Sequence, residues 1–160
     1  MANTYTQLFI HLIFVVKGRE NLIPPKFKDE LYKYITGIIK EKGHKLFSIN
    51  GMRDHLHLLI GLEPDEALSD LIKEIKRCSS KFINGKNWIV GKFEWQSGFA
   101  AFSYSKSQIS SVCRYIENQE QHHKKKTFRE EYIEMLKKFA VDYNEKYIFE
   151  EVLGDIIPTG

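Results

Sequence analysis

The sequence predicts an α+β fold: one antiparallel sheet built in the order β-α-β-β-α-β, with an additional helix after the last strand. Three observations predict it. Apolar runs rich in Leu, Ile, Phe and Val occupy residues 5–16, 55–62 and 93–104. Two stretches between them carry apolar residues at helical spacing, and Gly51 to Asp54 offers a turn that joins two neighbouring strands into a hairpin.

Each element has its own warrant. The first strand, 5–16, ends at Lys17-Gly18-Arg19. Pro24-Pro25 can precede a helix but not sit inside one, and Phe27, Leu31, Tyr34, Ile35, Ile38 and Ile39 then recur at helical spacing until Gly43. Residues 44–50 and 55–62 read as the two hairpin strands. Leu68, Leu71, Ile72, Ile75 and Phe82 mark a second amphipathic helix, closed by Asn84-Gly85. Gly98 implies a bend within the strand 93–104. Ser105 to Ser107 offer cap residues for a third helix through His123, with Ile109, Val112 and Ile116 as its apolar face, and a fourth helix runs from about 128 to 139. This order is the ferredoxin-like or RRM-like arrangement, with two helices on one sheet face and the other face left for the third helix, the histidine-bearing strand or a partner.

At 160 residues the chain fits one domain with a real core, and 42% hydrophobic with 28% charged residues describes a folded globular protein rather than a disordered one. The apolar start is interrupted by Gln7 and His11 and falls short of the roughly 20 residues a membrane span needs, so no membrane association and a cytoplasmic location are expected. Cys78 and Cys113 lie far apart in helical patterns, as reduced structural thiols do. The tail, 141–160, is acidic but carries Tyr143, Tyr147 and Phe149, and is expected to pack on the body or on a partner.

Charge is more informative locally than globally. The net charge is only +3, but Lys73, Lys76, Arg77, Lys81 and Lys86 form one basic cluster, and His122, His123, Lys124, Lys125 and Lys126 another. Such clusters serve either as phosphate-binding patches or as solvated helix faces.

The chemistry lies in "DHLHLLI", residues 54–60. His55 and His57 project to the same side of their strand while Leu56 points to the other. Two imidazoles so placed can grip one divalent metal; the same pattern also occurs in hydrogen-bonded histidines without a metal. In "SVCRYIENQEQHHKKK", Tyr115 and Gln119 stand four apart, one above the other on the third helix, so Gln119 can offer a third ligand oxygen with the Tyr115 hydroxyl nearby. A site of two neutral histidines and a neutral glutamine leaves the metal's full charge available to a phosphate. Mg²⁺ or Mn²⁺ suits it, the imidazoles tilting the preference toward Mn²⁺. Tyr115 alone reads equally as a packing tyrosine. Asp54 reads either as an orienting group for a histidine or as a turn aspartate, His122 as site support, a DNA contact or an exposed helix end, and Trp95 as a base-stacking platform or core. His11 and His44 read as structural.

The His-hydrophobe-His motif at 55–57 and "YIENQ" at 115–119, with "FIHLIFVVKGR", "WQSGFAAFSYS" and "ENQEQHHKKKTFREEY" around them, resemble the single-tyrosine HUH transposases of the insertion-sequence 200/605 family over about residues 5–135. The resemblance implies a catalytic domain spanning 1–140, with His55, His57 and Gln119 binding the divalent metal and Tyr115 as the nucleophile on the helix that follows the last strand. It implies cleavage and rejoining of single-stranded DNA hairpins at element ends through a 5′-phosphotyrosine intermediate, without ATP. It also implies a homodimer whose active sites are shared between subunits. The basic residues named above, Lys124 to Lys126 included, are the candidate DNA contacts. Alternatives are a domesticated palindrome-cleaving endonuclease and a non-catalytic RRM-like nucleic-acid-binding module; the latter normally has aromatics where this chain has His55 and His57. One tyrosine on the helix and no helicase region argue against replication initiators and relaxases.

Overall fold

The computed structural model describes residues 3–149. Strands β1 (Phe9–Val15), β2 (Lys45–Met52), β3 (His55–Gly61) and β4 (Ala100–Tyr104) form one antiparallel sheet in the order β2-β3-β1-β4. The helices are α1 (Lys28–Glu41), α2 (Leu68–Lys86), α3 (Ile109–Glu117), a short α4 (Gln119–His122) and α5 (Phe128–Lys138). The order is the split βαβ arrangement expected.

The central strands are buried on both faces, and side-chain alternation divides them between two cores. Leu12 and Phe14 of β1 and Leu56, Leu58 and Ile60 of β3 meet Leu31, Ile35 and Ile39 of α1 and Leu71, Ile72 and Ile75 of α2. On the opposite face, Ile13 and Val15 meet Phe128, Tyr132, Met135 and Leu136 of α5, and Leu59 meets Val112 and Ile116 of α3. The second face, left open by the sequence, is thus covered by α3 and α5. His55 and His57 lie on that face.

Several boundaries differ from the sequence reading. Strand β1 starts at Phe9, not Tyr5, which is exposed. Strand β2 continues through Gly51 to Met52, leaving only Arg53-Asp54 as the turn: a Cβ at Gly51 would lie 2.2 Å from the His55 carbonyl oxygen, so this glycine serves close strand approach rather than the turn. Helix α2 passes Asn84-Gly85 and ends at Lys86, capped by Asn87 in the left-handed conformation. The Asn84 side chain instead accepts from Phe93 N (2.7 Å) and donates to Phe93 O (3.1 Å). Only 100–104 of the predicted 93–104 is strand; before it come the Val16–Trp95 bridge and the bend at Gly98, whose φ is 80°. Trp95 is core, its Nε1 donating to Ser79 Oγ at 2.9 Å.

The third helix does not run unbroken to His123. It ends at Glu117, because Asn50 Nδ2 donates to the carbonyls of Ile116 and Glu117, each at 3.1 Å, and α4 restarts beyond Asn118. Ser105 caps the entry to α3 with Gln108 in a capping box. Both cysteines are free. Tyr143, Ile148 and Phe149 pack on the α5 core, whereas Tyr147 is exposed; residues 150–160 of the tail lie outside the described residues.

Candidate metal and tyrosine site

The site begins with β3. His55 and His57 are 1% and 0% exposed, and their Nδ1 atoms are already engaged. His55 Nδ1 lies 2.7 Å from Asp54 Oδ1; a carboxylate only accepts, so this nitrogen carries a proton, which in the neutral ring leaves Nε2 as the bare nitrogen. His57 Nδ1 lies 2.8 Å from Nε2 of His11, which projects from β1 on the same face with its ring stacked 5.0 Å away. His11 therefore buttresses the site directly, which its reading as merely structural did not convey. Phe128 of α5 stacks flat on His55 with ring centres 3.7 Å apart.

Helices α3 and α4 bring the next groups. Gln119, fully buried, places Oε1 at 3.1 Å from His55 Nε2 and 3.0 Å from His123 Nε2. His123 Nδ1 donates to the Lys126 carbonyl (3.1 Å), so its Nε2 also presents a lone pair to the centre. Tyr115 stands edge-on to His57, ring centres 5.8 Å apart, with His122 5.1 Å away on another side. Its buried hydroxyl makes no well-formed hydrogen bond among the described residues. The tyrosine and the histidines of one chain thus lie together.

Glu131 of α5 was not foreseen. It is 2% exposed, with Oε1 2.8 Å from His57 Nε2 and Oε2 2.9 Å from His122 Nε2 and 3.4 Å from His123 Nε2. A signal existed: Phe128, Glu131, Tyr132, Met135 and Leu136 form one stripe at helical spacing, so the glutamate interrupts an apolar face. Five of the six histidines gather here; His44 is elsewhere, bonded to Glu66.

Burial sets the protonation of these groups. It lowers the pKa of His57 to about 4 despite Glu131 beside it, and lowers those of His11 and His123. It raises the Tyr115 phenol far above its ordinary value, with the Glu131 charge adding to the effect. For Glu131, burial acts upward, but its neighbours, the hydrogen bond from His57 foremost, outweigh it and keep the carboxyl low, so it is ionised at neutral pH. The centre thus holds a buried carboxylate beside imidazoles, those of His11, His57 and His123, that burial keeps neutral.

This donor set fits a divalent cation. Ligand atoms of His55, His57 and Glu131 lie within 4.8 Å of one another. Among the described residues, Glu131 has only histidines as ion-pair partners, and its Oε2, like Gln119 Nε2 and His122 Nε2, is buried without a well-formed hydrogen bond. A buried charge so placed calls for a compensating cation.

The basic residues are dispersed. Lys73, Lys76 and Arg77 line an open groove of 690 Å³ with Lys17 and Lys92. Lys76 donates to the carbonyls of Gln96 and Gly98 there. Arg77 pairs with Glu74, Lys86 with Glu30 and Lys126 with Glu134. Lys73, Lys81, Lys124 and Lys125 form no ion pair among the described residues. Two smaller cavities adjoin the centre: one of 310 Å³ against Tyr115, with Gln108, Ser111 and Lys138, and one of 210 Å³ against His55 and His123, with Asn21 and Arg53.

The sheet and its covering helices recur in solved structures of transposases. A REP-associated tyrosine transposase solved bound to a REP hairpin has this fold, with a TM-score of 0.58 and 15% identity over 77% of this chain and 73% of that one. A candidate transposase solved from Deinococcus radiodurans R1 matches with a TM-score of 0.59 and 25% identity over 74% of this chain and 95% of that one. The chain belongs to the "Transposase IS200 like" family, whose model matches residues 4–119, and so to a family of DNA-cleaving enzymes. The ISDra2 transposase TnpA of Deinococcus radiodurans is 27% identical over 118 residues, 71% of this chain and 84% of that protein. No helix among the described residues is long and apolar enough to cross a membrane.

Proposed function

We propose that this protein cleaves and rejoins single-stranded DNA at hairpin-containing element ends, with Tyr115 as nucleophile and a divalent ion, Mg²⁺ or Mn²⁺, held by His55, His57 and Gln119. The observation that carries this reading is the convergence of Tyr115 with the two histidines and Gln119, in a member of the transposase family. The relative solved on a REP hairpin supports hairpin DNA as the substrate class.

Tyr115 Oη attacks the scissile phosphorus in line; its bond to phosphorus forms as the P–O3′ bond breaks, leaving a 3′-hydroxyl and a 5′-phosphotyrosine. An incoming 3′-hydroxyl reverses the step and rejoins DNA, so the phosphoester is conserved and no ATP is consumed. An ion held by His55, His57 and Gln119 would supply positive charge to stabilise the phosphate's developing charge and favour the phenolate. That aid matters because the Tyr115 proton is held tightly by burial. Asp54 and His11 hold the two imidazoles in place. One tyrosine per chain cuts one end at a time, so joining two ends calls for a homodimer. The basic residues, including Lys73, Lys81, Lys124 and Lys125, supply phosphate contacts.

Incubating the protein with single-stranded hairpin ends and Mn²⁺ is expected to give a covalent protein–DNA adduct that EDTA and Tyr115→Phe each abolish. No adduct on a cognate end, or one that survives loss of Tyr115, would overturn the reading.

A further inference from the structure

We propose that Glu131 and His123 bind the same ion as His55 and His57, which makes α4, α5 and the link between them part of the metal centre and gives the ion a shell rich in imidazole nitrogen. The inference rests on the reading above that this site holds a divalent ion. Both residues lie beyond 119, where the family match ends.

Three independent features carry it. The first is the direction of the lone pairs. His55 Nδ1–H donates to Asp54 and His123 Nδ1–H to the Lys126 carbonyl, so in their neutral forms the bare Nε2 of His55 faces the Gln119 amide oxygen and that of His123 faces the same oxygen and the Glu131 carboxylate. Acceptors facing acceptors repel unless a cation stands between them, and a ring held at Nδ1 by a carboxylate or carbonyl is the usual posture of a metal-binding histidine.

The second is spacing. Two donors about 2.1 Å from one ion and at right angles to each other stand about 3.0 Å apart. The pairs His57–Glu131, His123–Gln119, His55–Gln119 and His123–Glu131 measure 2.8, 3.0, 3.1 and 3.4 Å.

The third is the rigidity with which α5 delivers Glu131. Thr127 caps the helix, Phe128 stacks on His55, and Tyr132, Met135 and Leu136 are buried in the sheet-facing core. The helix is docked by its apolar residues, so the carboxylate is held at the site by packing that does not depend on it.

A shell with three imidazoles and one carboxylate favours Mn²⁺ and later transition ions over Mg²⁺, which prefers oxygen. The test titrates Mn²⁺ into full-length protein and follows the free-ion EPR signal, with Mg²⁺ as competitor and circular dichroism as the check on folding. Wild type and Tyr115→Phe are expected to take up one Mn²⁺ per chain with weak competition from Mg²⁺. Glu131→Gln, which keeps the side chain's shape but removes its charge, is expected to weaken uptake about tenfold or more, and His123→Ala to weaken it less. Pulsed EPR on the Mn²⁺-loaded wild type needs no variant and should count three imidazole nitrogens. Wild-type affinity in both variants, or two nitrogens, would sink the inference while leaving the ion at His55 and His57. Absence of Mn²⁺ uptake by wild type would overturn both.

Discussion

Asp54 and His57 show how single side chains here act through their neighbours. Asp54 sits in the turn, yet its carboxylate fixes which nitrogen of His55 carries the proton. Asp54→Ala should therefore loosen His55 and lower Mn²⁺ affinity roughly 10- to 100-fold with little change in fold, read by Mn²⁺ titration and by the imidazole ¹⁵N shifts of His55. His57 carries a pH prediction. Its folded pKa is about 4 against an ordinary value of 6.5, so between those values the unfolded chain binds a proton that the folded one refuses. More protons on the unfolded state means that stability rises with pH across this window and is lost as pH falls through it. The melting temperature of the metal-free protein should drop as the pH is lowered from about 7 to about 4.5; a flat profile would contradict the neutral, buried imidazole. The pair of same-face histidines was legible from strand alternation. Their hydrogen-bond partners were not, because His11 lies 46 positions and Glu131 74 positions from His57 along the chain.

At the level of strands and helices, local periodicity placed all four strands and the long helices, and it erred where a distant group intervenes. Gly51 looked like a turn residue; its role is to let β2 approach the backbone at His55. Gly51→Ala puts a Cβ 2.2 Å from the His55 carbonyl oxygen, where backbone cannot yield cheaply, and should cost about 1–3 kcal/mol in urea unfolding while shifting the start of β3. The third helix carried an unbroken pattern, but Asn50 of β2 takes its last carbonyls and ends it early. That break starts α4 beyond Asn118, and α4 and the residue after it carry His122 and His123 to Glu131. Periodicity also marked α5 as amphipathic, and the glutamate in its apolar stripe was the one visible sign that this helix contributes chemistry.

Taken together, the sheet is a wall with the α1–α2 core on one face and, on the other, the histidine–glutamate cluster beneath α3 and α5. Leu136→Ala, deep in the packing of α5 against the sheet, should destabilise the fold by about 2–5 kcal/mol and also weaken Mn²⁺ binding, because the cavity loosens the helix that holds Glu131. Outside the core, the proposed DNA contacts carry a prediction about charge. Lys73→Glu with Lys81→Glu should weaken hairpin binding and flatten its salt dependence, by about 0.7 in the log–log slope for each single-strand phosphate that is no longer neutralised; an unchanged slope would remove these residues from the interface. The sequence alone settled the α+β class, the order of its elements and the shared face of His55 and His57, because each follows from the repeat of a strand or a helix over a few residues. Only the packed chain decided that α3 and α5 cover the histidine face, that one chain unites its own tyrosine and histidines, and that Glu131 and His123 join them. Those facts depend on which distant surfaces bury each other, and a local repeat carries no information about that.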